Sequence, residues 1–173
     1  MTASPSGSLL RDGRVTGYES TMSLESVRTF FSEHAPDIAV LVTEQSSATV
    51  TLAAEAHGVA PGQIAKTICL RIGEEIVLLV AAGTARLSNR KFKDRFAAKP
   101  RMLDAEQVLA VTSHPVGGVC PFGLPSPVPV YCDVSLRPFD EVVPAAGATN
   151  AAVRIAPERL VGLVQGAWVD VCE

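Results

Sequence analysis

Two runs rich in β-branched residues, Ile64 to Ile72 and Glu75 to Ala82, flank a Gly73-Glu74 turn, and this pattern predicts an antiparallel hairpin. The first arm carries one anomaly. Lys66 is the single charge in the apolar run Ile64-Ala65-Lys66-Thr67-Ile68-Cys69-Leu70, so the side chain needs a reason to be there.

Around the hairpin the elements alternate in type. Ser23 is placed to cap a helix to about His34, with Leu24, Val27, Phe30 and Phe31 on one stripe. A short strand from Ile38 to Val42 follows. Thr51 caps Leu52 to His57, Gly58 closes that helix, and Pro61 opens one further turn. Ser88 caps a basic helix to about Ala97, and Asp104 caps Ala105 to Val111 after a short strand at Met102-Leu103. Val130 to Val134, Glu141 to Ala146 and Ala152 to Ile155 read as strands. Pro157 begins a closing helix, Glu158 to Gln165, and Trp168 to Cys172 adds a last strand. Hairpins without a regular βαβ rhythm give an expected class of α+β around one mixed sheet.

The segment Gly117-Gly118-Val119-Cys120-Pro121-Phe122-Gly123 holds three glycines and a proline in seven residues. Glycine permits positive φ and close approach of other atoms, while proline locks its own φ and removes a donor, so the loop's path is specified. Such a loop is suited to presenting main-chain groups. Cys120 within it reads as a small packing residue, with a nucleophile as the alternative. His114, just before it, reads as a loop or core residue, with a proton carrier as the alternative.

A chain of 173 residues, 47% of them hydrophobic, can bury one core and is expected to form one domain, residues 23–173, behind a mobile leader, residues 1–22. That leader lacks the apolar run of a signal peptide, and no stretch of eighteen uncharged apolar residues suggests a membrane span. The four cysteines are widely spaced, without a CxxC pair, so reduced thiols in a cytoplasmic protein are expected. The three histidines also lie far apart, which argues against a metal site.

Charge is unevenly distributed. Between Arg86 and Arg101 seven basic residues face only Asp94, a segment of +6 in a chain of −3, which leaves −9 elsewhere. A basic patch on an acidic body suits a polyanion docked at one place; a solvated helix face is the plainer alternative.

Lys66 within Gln63-Ile64-Ala65-Lys66-Thr67, the Gly117 to Gly123 loop, Asp133 after an apolar strand, and the tail from Ala145-Ala146-Gly147 to Ala156-Pro157-Glu158-Arg159-Leu160 occur in the same order in the YbaK/EbsC family. The chain resembles that family from about Ser23 to Glu173. The family includes aminoacyl-tRNA deacylases and the editing insertion of bacterial prolyl-tRNA synthetase. The resemblance implies a mixed sheet curled into a partial barrel with flanking helices, and a pocket between the lysine strand and the glycine-rich loop. It implies hydrolysis of a mischarged amino-acid ester at a tRNA 3′ end, with no cofactor.

By the same resemblance Lys66 is the catalytic residue. Thr67, Gly117, Gly118, Val119, Cys120, Pro121 and Gly147 contact the substrate; the charge of the basic segment, not the resemblance, makes Arg86, Arg90, Lys91 and Lys93 the residues expected to contact tRNA phosphates. Aminoacyl-tRNA is the implied partner, with an aminoacyl-tRNA synthetase as a second. The family's cysteine-specific branch commonly has a serine before the pocket glycine and a carboxylate several residues on, whereas this chain has Ala146-Gly147-Ala148-Thr149-Asn150. Asn150 is the candidate substitute. The expected substrate is a small amino acid, such as alanine, serine or cysteine, on tRNA for proline. A noncatalytic module that binds tRNA, a nucleotide or a synthetase through the same pocket is the alternative.

Overall fold

The computed structural model describes residues 17–173, with side chains from Ser23 onward. Residues 1–16 of the expected leader lie outside the described residues. Helix α1 spans Gly17–His34, so it begins before Ser23, which therefore lies inside the helix instead of capping it. Its stripe is as the spacing requires: Val27 and Phe31 are fully buried, and Phe30 and Phe31 pack on Phe122 with ring centroids 5.6 and 4.7 Å away. This contact fixes the far end of the glycine-rich loop to α1.

Strand β1 is short, Leu41–Val42, and helix α2 spans Val50–His57. Its cap is Thr49 instead of Thr51: Thr49 is extended, with φ −121°, and its hydroxyl accepts from the Leu52 amide. Gly58 closes the helix at φ 65°, and a 3-10 turn at Pro61–Gln63 leads into the hairpin. Strands β2, Ile64–Ile72, and β3, Glu75–Ala82, pair antiparallel from Ala65↔Ala82 to Ile72↔Glu75, as their composition predicts.

Helix α3, Asn89–Phe96, is capped by the Ser88 hydroxyl and anchored by buried Phe92. Strand β4, Arg101–Met102, precedes α4, Ala105–Thr112, which starts in a reciprocal capping box between Asp104 and Gln107. Strands β5, Val130–Asp133, β6, Val143–Pro144, and β7, Ala151–Ala152, are followed by α5, Pro157–Leu163, and β8, Ala167–Val169.

The main sheet runs β4-β2-β3-β5-β8, with β6 also on β2; β1 and β7 form a separate antiparallel pair. β5 lies parallel to β3, and β8 parallel to β5. The α+β class and the mixed sheet stand, but the expected partial barrel does not. A barrel requires a ladder joining the last strand to the first, and among the described residues β8 pairs only with β5. At the other edge β4 and β6 offer two residues each before the chain leaves the sheet, too few to carry closure.

Candidate functional site

The two short strands share one edge of β2 and leave a gap between them. β6 meets Ile64 and Ala65, and β4 meets Leu70 and Arg71. In an antiparallel pair, successive residues turn their N–H and C=O alternately toward and away from the partner. The Gly83 amide donates to the Ile64 carbonyl at 2.7 Å, so even-numbered residues of β2 face β3 and odd-numbered ones face the gap edge. Ala65 and Arg71 are covered by β6 and β4, and the Cys69 carbonyl accepts from the Leu103 amide at 3.2 Å. Thr67 is left as the rung between them, with no strand opposite.

A cavity of about 290 Å³ opens at this rung. Lys66 and Thr67 form one wall, Gly117 and Val119 another, with Leu103 and Ala145 beside them. Residues fifty positions apart in sequence thus meet at one site. Alternation sends the Lys66 and Thr67 side chains to opposite faces of the strand. The Thr67 hydroxyl oxygen is buried and has no hydrogen-bond partner among the described residues.

Lys66 is held. Its Nζ donates to the Gly83 carbonyl at 3.3 Å and to the Ala85 carbonyl. An ammonium has three donors, so one remains. Burial lowers the Lys66 pKa; Arg86 pushes the same way, and a Cys172 thiolate would oppose it. Burial lifts the Cys172 thiol to about 12, so that thiolate is not formed near neutrality.

The loop glycines answer to the chain itself. A Cβ on Gly117, at φ 90°, would meet Ala48 at 2.9 Å, and one on Gly118 would sit 2.7 Å from the Ala148 backbone nitrogen. The Gly118 amide donates to Pro115 at 2.8 Å, and its carbonyl accepts from Gly147 at 2.9 Å. Of the residues expected to contact substrate, Gly117, Val119 and Thr67 line the cavity; Gly118, Cys120, Pro121 and Gly147 lie behind it. Asn150 also lies off the wall: its side-chain amide donates to the Thr43 carbonyl at 3.0 Å and ties β1 to the turn before β7.

His114 supports the loop from beneath. It is fully buried; Nε2 donates to the Phe122 carbonyl at 2.7 Å, which makes Nδ1 the acceptor for the Ser23 hydroxyl. Burial lowers its pKa, with the Phe122 bond opposing. Cys120 Sγ lies 3.5 Å from Nε2, a Cys–His contact that sequence spacing does not reveal. Burial nevertheless pushes the Cys120 thiol to about 12, and the residue is wholly inaccessible, so the packing reading is the one the geometry supports.

None of the basic residues between Arg86 and Arg101 lines the cavity itself; Arg101 immediately precedes Met102, which does, and the Arg86 charge is one of the causes that lower the Lys66 pKa. Arg90 and Lys93 are exposed on α3, whereas Lys91 donates to Asp170 at 3.0 Å and to the Cys172 carbonyl at 2.9 Å. Two apolar side chains that no sequence pattern singles out, Met102 and Val116, stand at the rim with 71% and 61% exposure. Single exposed apolar residues carry no sequence signal.

The Aminoacyl-tRNA editing domain family matches residues 44–163, a span containing the whole hairpin, the loop and α3. The uncharacterized Bacillus subtilis protein YwhH is 45% identical over 154 residues, covering 88% of this chain and 98% of its own. A protein of Enterococcus faecalis named "Putative Cys-tRNA(Pro)/Cys-tRNA(Cys) deacylase EbsC" is 26% identical, covering 68% of this chain and 73% of its own. Among solved structures, one described as a "putative trans-editing enzyme for prolyl tRNA synthetase" superposes with a TM-score of 0.81 at 28% identity, covering 87% of this chain and 97% of that one.

Proposed function

The chain belongs to the aminoacyl-tRNA editing domain family, and from that premise we propose that it removes small amino acids from mischarged tRNA, with tRNA for proline as the expected carrier. One observation carries the reading: Lys66 and the glycine-rich loop meet on the wall of a single cavity of about 290 Å³. That size, at the low end of the roughly 300–1,000 Å³ of small-ligand sites, suits the acylated end of a tRNA and leaves the stem outside.

An aminoacyl ester is already activated, so the protein has to hold the acyl group still and stabilise the charge that develops on its oxygen. Water adds to the ester carbonyl, the bond from the acyl carbon to the ribose oxygen breaks, and that oxygen takes a proton. Free amino acid and intact tRNA leave. Lys66, oriented by Gly83 and Ala85, offers its remaining N–H to the reacting end or its phosphate. Arg90, Lys93 and Arg101, all exposed, supply positive charge for the acceptor stem.

The fixed ammonium also favours a second reading, a module that binds the same end without turnover, because two of its donors already serve the fold. Deacylation of alanyl-, seryl- and cysteinyl-tRNA for proline, by wild type beside Lys66→Ala, separates the two. Hydrolysis by wild type alone supports the editing enzyme and names its amino acid. No hydrolysis by either folded protein, with tRNA still bound, supports the module.

A further inference from the structure

Thr67 interrupts an otherwise continuous pattern. The β4 register pairs Arg71 with Arg101 and Leu70 with Met102, and the Leu103-to-Cys69 bond continues it. The next place in that register, opposite Thr67, falls to Ala105, but there the chain has turned into α4. From the other side, β6 pairs through Pro144, and then Ala145 and Ala146 bond toward β7 instead. Both neighbours leave the sheet before reaching Thr67, and the cavity lies where a residue opposite it would be.

An amino acid joined as an ester to a ribose has the polar pattern of one strand residue: a nitrogen that donates and a carbonyl that accepts, one carbon apart. Directly opposed residues of a hydrogen-bonded antiparallel pair exchange both bonds. Resting on the editing reading of this cavity, we propose that the substrate's amino acid fills the missing rung. Its α-ammonium donates to the Thr67 carbonyl, and its ester carbonyl accepts from the Thr67 amide. The Thr67 hydroxyl oxygen, buried and without a partner among the described residues, supplies a third polar atom beside them.

This arrangement has two chemical consequences. The Thr67 amide is aimed at the oxygen on which charge develops during hydrolysis, so it is a preorganised donor that no side-chain substitution removes. Directly opposed residues also place their side chains on the same face. The substrate side chain then lies beside that of Thr67, where added bulk is felt first.

The test uses the full chain and a non-hydrolysable mimic, adenosine carrying alanine through a 3′-amide in place of the ester. Replacing Thr67 by its α-hydroxy acid, incorporated during translation, removes the N–H and keeps the side chain; Thr67→Val removes the hydroxyl and keeps the N–H. The expected result is about tenfold weaker mimic binding for the α-hydroxy protein, the scale of one hydrogen bond, and a smaller loss for Thr67→Val. The wild-type Thr67 amide resonance should shift on binding. Melting of both variants near wild type confirms that each is folded.

Mimic binding that ignores loss of the Thr67 N–H overturns the rung, as does failure of wild type to bind the mimic. The deacylation panel is read separately. Turnover with a silent Thr67 amide keeps the editing reading and removes the rung; Thr67-dependent binding without turnover keeps the rung and removes the editing reading.

Discussion

The glycine-rich loop and the middle of β2 wall the same cavity, yet their backbones are in opposite states. The loop is closed on itself. Gly118 donates to Pro115 and accepts from Gly147, Phe122 accepts from His114, and the glycines leave no room for a Cβ. In β2, by contrast, the strands on either side stop short and Thr67 is left facing open space. Conspicuous glycines can therefore mark where a chain packs on itself, while the chemically available backbone sits in a strand of ordinary composition.

If this division is right, substitutions at the gap should damage activity, and substitutions in the loop should damage stability. Lys66→Ala is the sharpest case. We expect kcat for deacylation to fall by about 100-fold or more, the scale of losing one well-placed donor, with the circular dichroism spectrum retained. Near-normal turnover in this variant would remove Lys66 from the mechanism. Gly118→Ala should do the reverse, since its Cβ would press on the Ala148 backbone. The expected cost is about 1–3 kcal/mol in urea unfolding, and wild-type stability would show that the loop has slack.

A pH titration sharpens the same contrast from beneath the loop. His114 has a lowered pKa in the folded chain, so its contribution is intact above the unfolded value of about 6.5 and is lost as pH falls through the folded one. Below about pH 6.5 the unfolded chain takes up a proton that the native chain resists, and stability should drop by up to about 1.4 kcal/mol per pH unit. His57 is lowered too, by burial and then by Arg154. The measurement therefore belongs in a His57→Gln background, where adding His114→Asn should flatten the slope. An unchanged slope would mean that His114 titrates normally.

Much of this architecture is legible in the residues. The hairpin, the Ser88 and Asp104 caps and the Gly58 stop are written in local chemistry, and the structure places them where that chemistry does. The cap of α2 falls at Thr49 and not Thr51: both are threonines that could cap, and the helix starts at Val50 with the Thr49 hydroxyl accepting from the Leu52 amide. The open sheet was not legible. Whether β8 returns to β4 depends on how soon two-residue strands turn away, and no periodicity encodes that. Lys66 and the loop were visible as oddities of composition, and their meeting rested on resemblance. Thr67 was visible only as a neighbour, because its distinction lies in a register that involves three other strands.

The basic segment tests whether the open gap sits within a larger electrostatic surface. Neutralising Arg90 and Lys93 together, as Arg90→Gln with Lys93→Gln, should lower the slope of log affinity against log salt for tRNA by about two if each meets one phosphate. At saturating substrate kcat should stay near wild type. A fall in kcat with an unaltered salt slope would place these residues in the cavity's chemistry and not in docking.

The smallest expected effect belongs to Cys120, and it is the most direct check on the closed half of the comparison. A thiol 3.5 Å from an imidazole nitrogen has the outline of a nucleophile and its base. Three facts oppose that role. The thiol is fully buried, that burial pushes its pKa up to about 12, and the nearby Nε2 already donates to Phe122. Without thiolate or access there is no nucleophile, whatever the distance. Cys120→Ala should therefore keep deacylation within about twofold while costing roughly 1 kcal/mol of packing. Iodoacetamide should leave Cys120 unlabelled in the native protein and label it in urea. Rapid native labelling, with activity lost in step, would instead mean that the loop opens to admit reagent and that its hydrogen bonds are no firmer than the gap they border.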